Sequence, residues 1–320
     1  MAYTGAGQLI EAWDYNRLTW GGNTTSTYTS TPSNLAYVWG VGNGAIGYGQ
    51  DATAMTTVSA GGTVTATQWS TFVQRLNLCL AHQSGAAAQL ASGSNIGVVA
   101  GATIQYFANV ATSIATVNTN YASYSAQGST TTGANFDETI STSTGLSNAV
   151  YGARTVTFAS ANAARYFFNA GGQLNYVVSS PTASGSGAQN DLLGMITGLG
   201  GWGQLNTTST GRTGSGQTLN TNSTTFGYRN NVLNTATTVV AVTSTAAAYN
   251  TDTAAIQVFT SSSDTTNGAN GLNVTFRCLY NISDHTWDDT LSITHRTRVD
   301  IVYPETTYLS GTPWGTPTVS

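Results

Sequence analysis

The sequence has no lysine and little charge of either sign. Charged residues make up 7% of its 320 residues, and nine basic against thirteen acidic residues leave a formal net charge of −4. The basic residues are all arginines scattered along the chain, so no basic surface is present to neutralise phosphates. No apolar run approaches the roughly 18 residues that a membrane-spanning helix requires. We therefore expect no nucleic-acid partner and no membrane insertion.

Cysteines and targeting signals are equally scarce. Two cysteines are too few for a disulfide framework. The N-terminal residues lack a basic region followed by an apolar one, so we expect no secretory signal. These features are typical of a protein that is made in a cytoplasm and is not secreted.

Recognisable catalytic motifs are missing, including Gly-x-Ser-x-Gly, His-Glu-x-x-His and Cys-x-x-Cys. The adjacent acids Asp137 and Glu138 would point to opposite faces of a strand, which disfavours a paired-carboxylate hydrolase. The densest polar cluster contains Asp284, Asp288 and Asp289, weak candidates for a metal site because they lack the alternate spacing of a Ca²⁺ loop. A turn capped by Asp side chains is the alternative. We expect no enzymatic activity, no catalytic residue and no cofactor.

The residues that are present favour strands. Hydrophobic residues make up 40% of the chain, and threonine alone is about one residue in six. We predict an α+β fold dominated by β-structure, in which a helical N-terminal part precedes an antiparallel β-sandwich-like C-terminal part. The predicted divisions are a helical, loop-rich assembly region over 1–125, a Ser/Thr/Gly-rich linker over 126–144, and a β-rich domain with two short helices over 145–320.

Hydrophobic periodicity places the elements. Thr65 and Gln68 form a capping box before a helix over 66–83, and further helices are predicted near 1–20, 102–119, 161–172 and 188–199. Alternation predicts strands over 150–160, 173–180, 272–280 and 291–303. His295 lies on an apolar strand face and is expected to be a hydrogen-bonded core residue. A polar loop is predicted over 206–223, a turn over 267–271, and an extended surface position for the C-terminal tail.

Seven aromatic residues lie in Gly- or Ser-rich contexts, where we expect them to be exposed. Such side chains stack on sugars, pack in subunit interfaces or pack onto their own domain, and the sequence leaves these alternatives open. The interface or glycan-stacking candidates are Tyr37, Trp39, Tyr48, Tyr121, Tyr124, Trp202 and Trp314.

Four blocks of sequence resemble structural proteins of tailed bacteriophages, especially those of cyanobacteria and marine bacteria. The blocks cover most of 1–85 and 150–303. They are AWDYNRL followed by GAIGYGQ, then VSAGGTVTATQWSTFVQRLNLCLAHQSG, then TVTFASANAARYFFNAGGQLNY, and finally NVTFRCLYNISDHTWDDTLSITHRTRVDIVYP. None is a catalytic motif, and no binding residue follows from the resemblance.

The resemblance implies a virion component, a part of a tail fibre, a baseplate or a neck or collar. Such a part assembles in the host cytoplasm, and we expect a symmetric homo-oligomer, most often a trimer in fibres, docked to other virion proteins. The alternative function is a receptor-binding adhesin that recognises host surface glycans.

Overall fold

The structure, a computed structural model, describes residues 11–19, 34–42, 45–85, 107–206, 214–230, 234–261, 272–283 and 290–320. Within these ranges, four α-helices come first along the chain, and antiparallel sheets follow with two further α-helices between their strands. The predicted α+β fold dominated by β-structure is confirmed.

The described helices include the five that the sequence predicts, with different bounds. In chain order they are α1 (Ala12–Thr19), α2 (Leu35–Trp39), α3 (Ala66–Ser84), α4 (Phe107–Thr119), α5 (Ala161–Asn169) and α6 (Gly187–Leu199). In the described residues no helix is long and apolar enough to cross a membrane.

The strands, in chain order, are β1 (Gln127–Thr131), β2 (Phe136–Thr142), β3 (Leu146–Thr157), β4 (Gln173–Ser179), β5 (Trp202–Leu205), β6 (Thr218–Asn222), β7 (Thr237–Thr243), β8 (Thr253–Thr260), β9 (Asn273–Ile282), β10 (Leu291–Pro304) and β11 (Thr318–Val319). They form two sheets. One has the order β1-β10-β4-β5, with β2 also paired to β10, and the other has the order β11-β3-β9-β8-β7-β6.

Helix α3 forms because its sequence specifies both ends and one face. The Thr65 hydroxyl accepts a hydrogen bond from the Gln68 backbone N–H, and the Gln68 side chain accepts one from the Thr65 backbone N–H, which completes a capping box. Gly85 ends the helix in the left-handed conformation at φ 74°. The predicted apolar stripe is buried and packs against α2 and α4. Its side chains Trp69 and Phe72 lie with ring centroids 5.4 Å apart.

Two sequence interpretations fail because polar strands carry little periodic signal. The predicted linker over 126–144 contains β1 and β2, which pair with β10 in antiparallel register. These two strands expose most of their residues, so the hydrophobic pattern that marks a strand is nearly absent. The predicted loop over 206–223 likewise contains β6, although residues 207–213 lie outside the described part of the chain.

The two sheets face each other through the residues that alternation predicts. Val274, Phe276 and Cys278 of β9 are fully buried. In β10, Ile293 and Val299 are no more than 2% exposed. Tyr176 of β4 stacks on Phe276 across the gap, with ring centroids 5.3 Å apart and planes 9° from parallel. Helix α6 contacts strands of both sheets.

Candidate functional site at the junction of helices and sheets

Three of the sequence blocks meet at one irregular segment, residues 40–42 and 45–50, which we call the junction loop. The segment follows α2 and contains Gly47 and Gly49 of the GAIGYGQ block. Helix α5 contacts it from the β-rich side, α3 contacts it from the helical side, and the C-terminal segment closes over it.

Arg165 of α5 holds the junction loop by its carbonyl groups. Its Nη1 atom donates to the Ile46 carbonyl at 2.7 Å, and its Nη2 atom donates to the Val41 carbonyl at 2.7 Å. Asn169, one helical turn later, donates from Nδ2 to the carbonyls of Ala45 and Gly47 at 2.8 and 2.9 Å. Because Arg165 is 2% exposed, its charge requires such partners. The Arg-Tyr-Phe-Phe-Asn sequence is therefore a clamp.

Gly49 allows the loop to approach α5 this closely. Its φ is +70°, and a Cβ atom there would lie 2.4 Å from the Tyr166 ring. Both facts exclude larger residues without movement of the ring or the backbone.

Helix α3 reaches the same loop with its last turn. Gln83 donates from Nε2 to the Tyr48 hydroxyl and to the Val117 carbonyl, both at 3.0 Å. The His82 ring lies edge-on to Tyr48, with centroids 5.3 Å apart. Burial lowers the pKa of His82 to about 4 and raises that of Tyr48 far above its ordinary value. The His-Gln pair is thus a packing element with a neutral imidazole.

The C-terminal segment is packed more deeply than the sequence predicts. Gln50 and Ser310 exchange two hydrogen bonds, at 3.0 Å from Gln50 Nε2 to the Ser310 carbonyl and 2.8 Å from the Ser310 N–H to Gln50 Oε1. Trp314 is 2% exposed, and Ser320 pairs with Thr155 of β3 through both backbone groups. The segment therefore joins the junction loop to the second sheet.

The predicted exposure of the aromatic candidates is wrong for most of them. Tyr37, Trp39, Tyr48, Tyr121 and Trp314 are between 0 and 9% exposed, and all except Tyr37 belong to the hydrophobic core. Their glycine neighbours allow close packing instead of exposure, as at Gly49. Of the remaining two, Tyr124 is half-buried against Gly171, and the Trp202 side chain lies outside the described part of the structure. Packing onto the parent domain is thus the alternative that holds for the five.

The weak metal candidates Asp284, Asp288 and Asp289 lie outside the described residues. In the described ranges, no group of three or more His, Cys, Asp or Glu side chains is placed to hold a metal ion. The two cysteines are buried, and burial raises the pKa of the Cys278 thiol to about 12. A thiol that stays protonated at neutral pH is a poor nucleophile.

A buried polar cluster between the sheets is a feature that sequence reasoning missed. Gly152 sits at an irregularity of β3 with φ +62°, its N–H donates to Glu138, and its carbonyl accepts from the Tyr176 hydroxyl at 2.6 Å. The fully buried His295 lies beside it, and neither ring nitrogen has a partner in the described structure. Its predicted core position is confirmed, and its predicted hydrogen bond is not found. Burial lowers the pKa of His295 to about 4.

Two surface clefts flank the C-terminal segment. The larger, of about 500 Å³, lies between the junction loop and that segment. Its lining consists of Trp39, Gly49, Gln50, Asp51, Arg75, Ser310, Thr312 and Pro313. The second, of about 420 Å³, lies beside β1 and includes Tyr303 and Glu305. In neither of these two recesses does the described lining pair a nucleophile with a base.

Comparison with known proteins gives no relative on which an assignment can rest. No family model, no curated protein and no solved structure matches the chain. We therefore infer the function from the sequence blocks and from the contacts described above.

Proposed function

We propose that the chain is a structural component of a tailed-bacteriophage virion, a part of the tail fibre, the baseplate or the neck or collar. It acts by symmetric self-assembly and by docking to other virion proteins. One observation supports the proposal: polar side chains of the resembling blocks hold the fold together. Arg165 and Asn169 donate to carbonyl groups of the junction loop, and Gln83 donates to the Tyr48 hydroxyl in that loop. Side chains that join distant segments of the chain in this way are expected in a protein whose role is structural.

The polar surface supports assembly without turnover. Neutral side chains bond to one another at the surface, for example Thr251 with Ser283 at 3.0 Å and Ser310 with Thr312 at 3.0 Å. Interfaces built from hydroxyl and amide groups avoid the cost of desolvating ions and respond weakly to salt. A charged fraction of 7% makes such interfaces the ones this chain is able to form.

The edge of the second sheet also favours self-association. Within the described ranges, β7 is the only strand that pairs with β6, so the outer edge of β6 carries unpaired backbone groups. Residues 214–225 contain no charged residue and no proline, and Leu219 is exposed. Soluble monomers commonly protect such edges with lysine, proline or a covering segment. Pairing with a neighbouring copy would satisfy this edge.

The burial of most aromatic candidates removes the reason for the alternative function, a receptor-binding adhesin. Stacking on host glycans requires exposed aromatic faces, and five of the seven candidates are buried in the chain itself. We therefore propose assembly, and not the stacking of glycans on these aromatic side chains, as the function.

The test is the location of the protein on the particle. Antibodies raised against the recombinant chain should label intact virions of the phage that encodes it, at symmetric positions on the tail or neck in immunogold electron microscopy. Absence of the chain from purified particles, measured by mass spectrometry of the same preparation, would exclude a virion role.

A further inference from the structure

The larger surface cleft contains a guanidinium that the fold orients and whose N–H groups bond to no described residue. Arg75 of α3 lies over the Trp39 indole, with its Cζ atom 4.8 Å from the ring centroid. Its Nε atom is buried without a hydrogen-bond partner, and no hydrogen bond or ion pair joins the guanidinium to another described residue. A planar cation that is held by an aromatic face, and whose N–H groups bond to no described residue, is suited to bind a ligand.

A carboxylate faces the same cleft. The Oδ1 atom of Asp51 accepts from the Thr53 N–H at 2.9 Å and from the Thr53 hydroxyl at 2.7 Å, while Oδ2 has no partner among the described residues. The bond from the Thr53 N–H, then the one from its hydroxyl, lowers the pKa of Asp51, and Arg75 adds a smaller effect in the same direction. The cleft thus offers free donors and a free acceptor that do not bind each other.

The walls of the cleft are fixed in place. The Trp39 Nε1 atom donates to the Asp51 carbonyl at 2.8 Å, which ties the indole to the residue that carries the carboxylate. The opposite wall is the Gln50–Ser310 pair, and the Ser310 hydroxyl donates to Thr312 at 3.0 Å. Because these polar groups bind one another, the side-chain groups that the described lining leaves for a ligand are those of Arg75 and Asp51 and the Thr312 hydroxyl proton. Pro313 adds an apolar contact.

We infer that this cleft is a binding site for a neutral saccharide unit. A guanidinium and a carboxylate in one recess cancel in charge, so an anion gains from Arg75 and loses at Asp51. A hydroxyl both donates and accepts, and neighbouring hydroxyls of a sugar ring match the two groups together. A volume of about 500 Å³ is in the range of small-molecule sites. This inference does not depend on the virion proposal, and it assigns Trp39 the role of platform for Arg75.

The experiment is a ligand-observed NMR titration of the full chain with methyl glycosides of glucose, galactose, mannose and N-acetylglucosamine. Glucuronate and inorganic phosphate are the anionic probes. At least one neutral glycoside should bind at millimolar concentration and more tightly than either anion. Arg75→Ala should weaken that binding about tenfold or more, since hydrogen bonds to a charged group are lost. Arg154→Ala is the matched control, because Arg154 lies over Phe136, outside the cleft.

Asp51→Asn decides between the ligand classes and does not depend on the folding of the Arg75 variant, since Asp51 is exposed. It should weaken the neutral glycoside and strengthen glucuronate and phosphate. Preferential binding of the anions by the unaltered chain would overturn the inference in favour of an anion site. Binding that survives both cleft substitutions, or no binding of any neutral probe, would also overturn it.

Discussion

The helical part and the two sheets differ in how they acquire their polar partners. In the sheets, backbone groups pair along strands, and the gap between the sheets is filled mainly by apolar rings such as Tyr176 and Phe276. In the helical part, the junction loop makes local backbone hydrogen bonds, such as the one from the Tyr48 N–H to the Val38 carbonyl. It takes further partners from Arg165, Asn169 and Ser310, which all lie more than a hundred residues away.

This difference shows that divisions along the chain do not coincide with units of packing. The predicted assembly region over 1–125 ends where composition changes, yet its loop is held by α5 and by the C-terminal segment. We therefore expect the helical part to depend on the sheets for its order, and the sheets to depend less on the helical part.

Truncation of Trp69 is expected to have the largest effect and to act on the helical part. Its indole is 1% exposed and packs on Phe72, so Trp69→Ala should lower the free energy of unfolding by about 3–5 kcal/mol. Chemical denaturation measures the loss, and Gln74→Ala on the exposed face of the same helix is the control. If the Trp69 variant melts within a degree or two of the unaltered chain, the packing of α3 is wrong.

Removal of the Arg165 clamp tests the dependence of the helical part on the sheets. Arg165→Met leaves the Ile46 carbonyl without its arginine donor and the Val41 carbonyl with the Tyr166 hydroxyl alone, and it should cost about 3 kcal/mol. Hydrogen exchange should increase in the junction loop and in the last turn of α3, while β8 and β9 stay protected. Equal protection losses in both parts would contradict the comparison, as would unchanged exchange in the loop. Arg154→Met provides the matched loss of one arginine.

Acid should weaken both parts through their buried histidines. The folded pKa of about 4 for His82 and His295 lies below the ordinary 6.5, so the unfolded chain binds protons first as the pH falls. The stabilisation is complete above about pH 6.5 and is lost between that value and pH 4, at about 3 kcal/mol for each histidine. His295→Phe should flatten the pH dependence of unfolding over that window. A variant with the same slope as the unaltered chain would show that His295 is not held neutral.

Two glycine substitutions, with a smaller expected effect, test the close contact between the helical part and α5. Gly49→Ala introduces a Cβ atom 2.4 Å from the Tyr166 ring, whereas Gly61 has a similar φ of +78° and no atom within 4 Å of the added Cβ. The Gly49 variant should be destabilised by about 1–3 kcal/mol more than the Gly61 variant, because only the first overpacks a contact between the two parts. Thermal melts of the pair measure the difference, and equal melting temperatures would remove the close approach from the account.

The sequence predicts those parts of the fold whose causes are local. The capping box at Thr65, the apolar stripe of α3 and the alternation of β9 are written in neighbouring residues, and each is confirmed. Strands β1 and β2 are not predicted, because of their twelve residues only Ile140 is fully buried and their order comes from pairing with β10.

The candidate site is harder to predict than the fold, since its contacts join distant segments. Gly-rich contexts around Tyr48 and Trp39 suggest exposure, while the structure uses those glycines to bring chain segments together. The bonds of Arg165 to carbonyl groups carry no signal in the sequence, because any backbone segment is able to supply the acceptor. The cleft at Arg75 and Asp51 depends likewise on the position of Ser310, far along the chain.

We propose that the chain assembles with copies of itself through uncharged surfaces. The decisive measurement is multi-angle light scattering of the purified full chain at micromolar concentration, repeated at low and at high salt. We predict a discrete oligomer, a trimer, whose mass does not change as ionic strength rises, because few ion pairs hold it. A stable monomer under both conditions, or an oligomer that dissociates in salt, would contradict the claim.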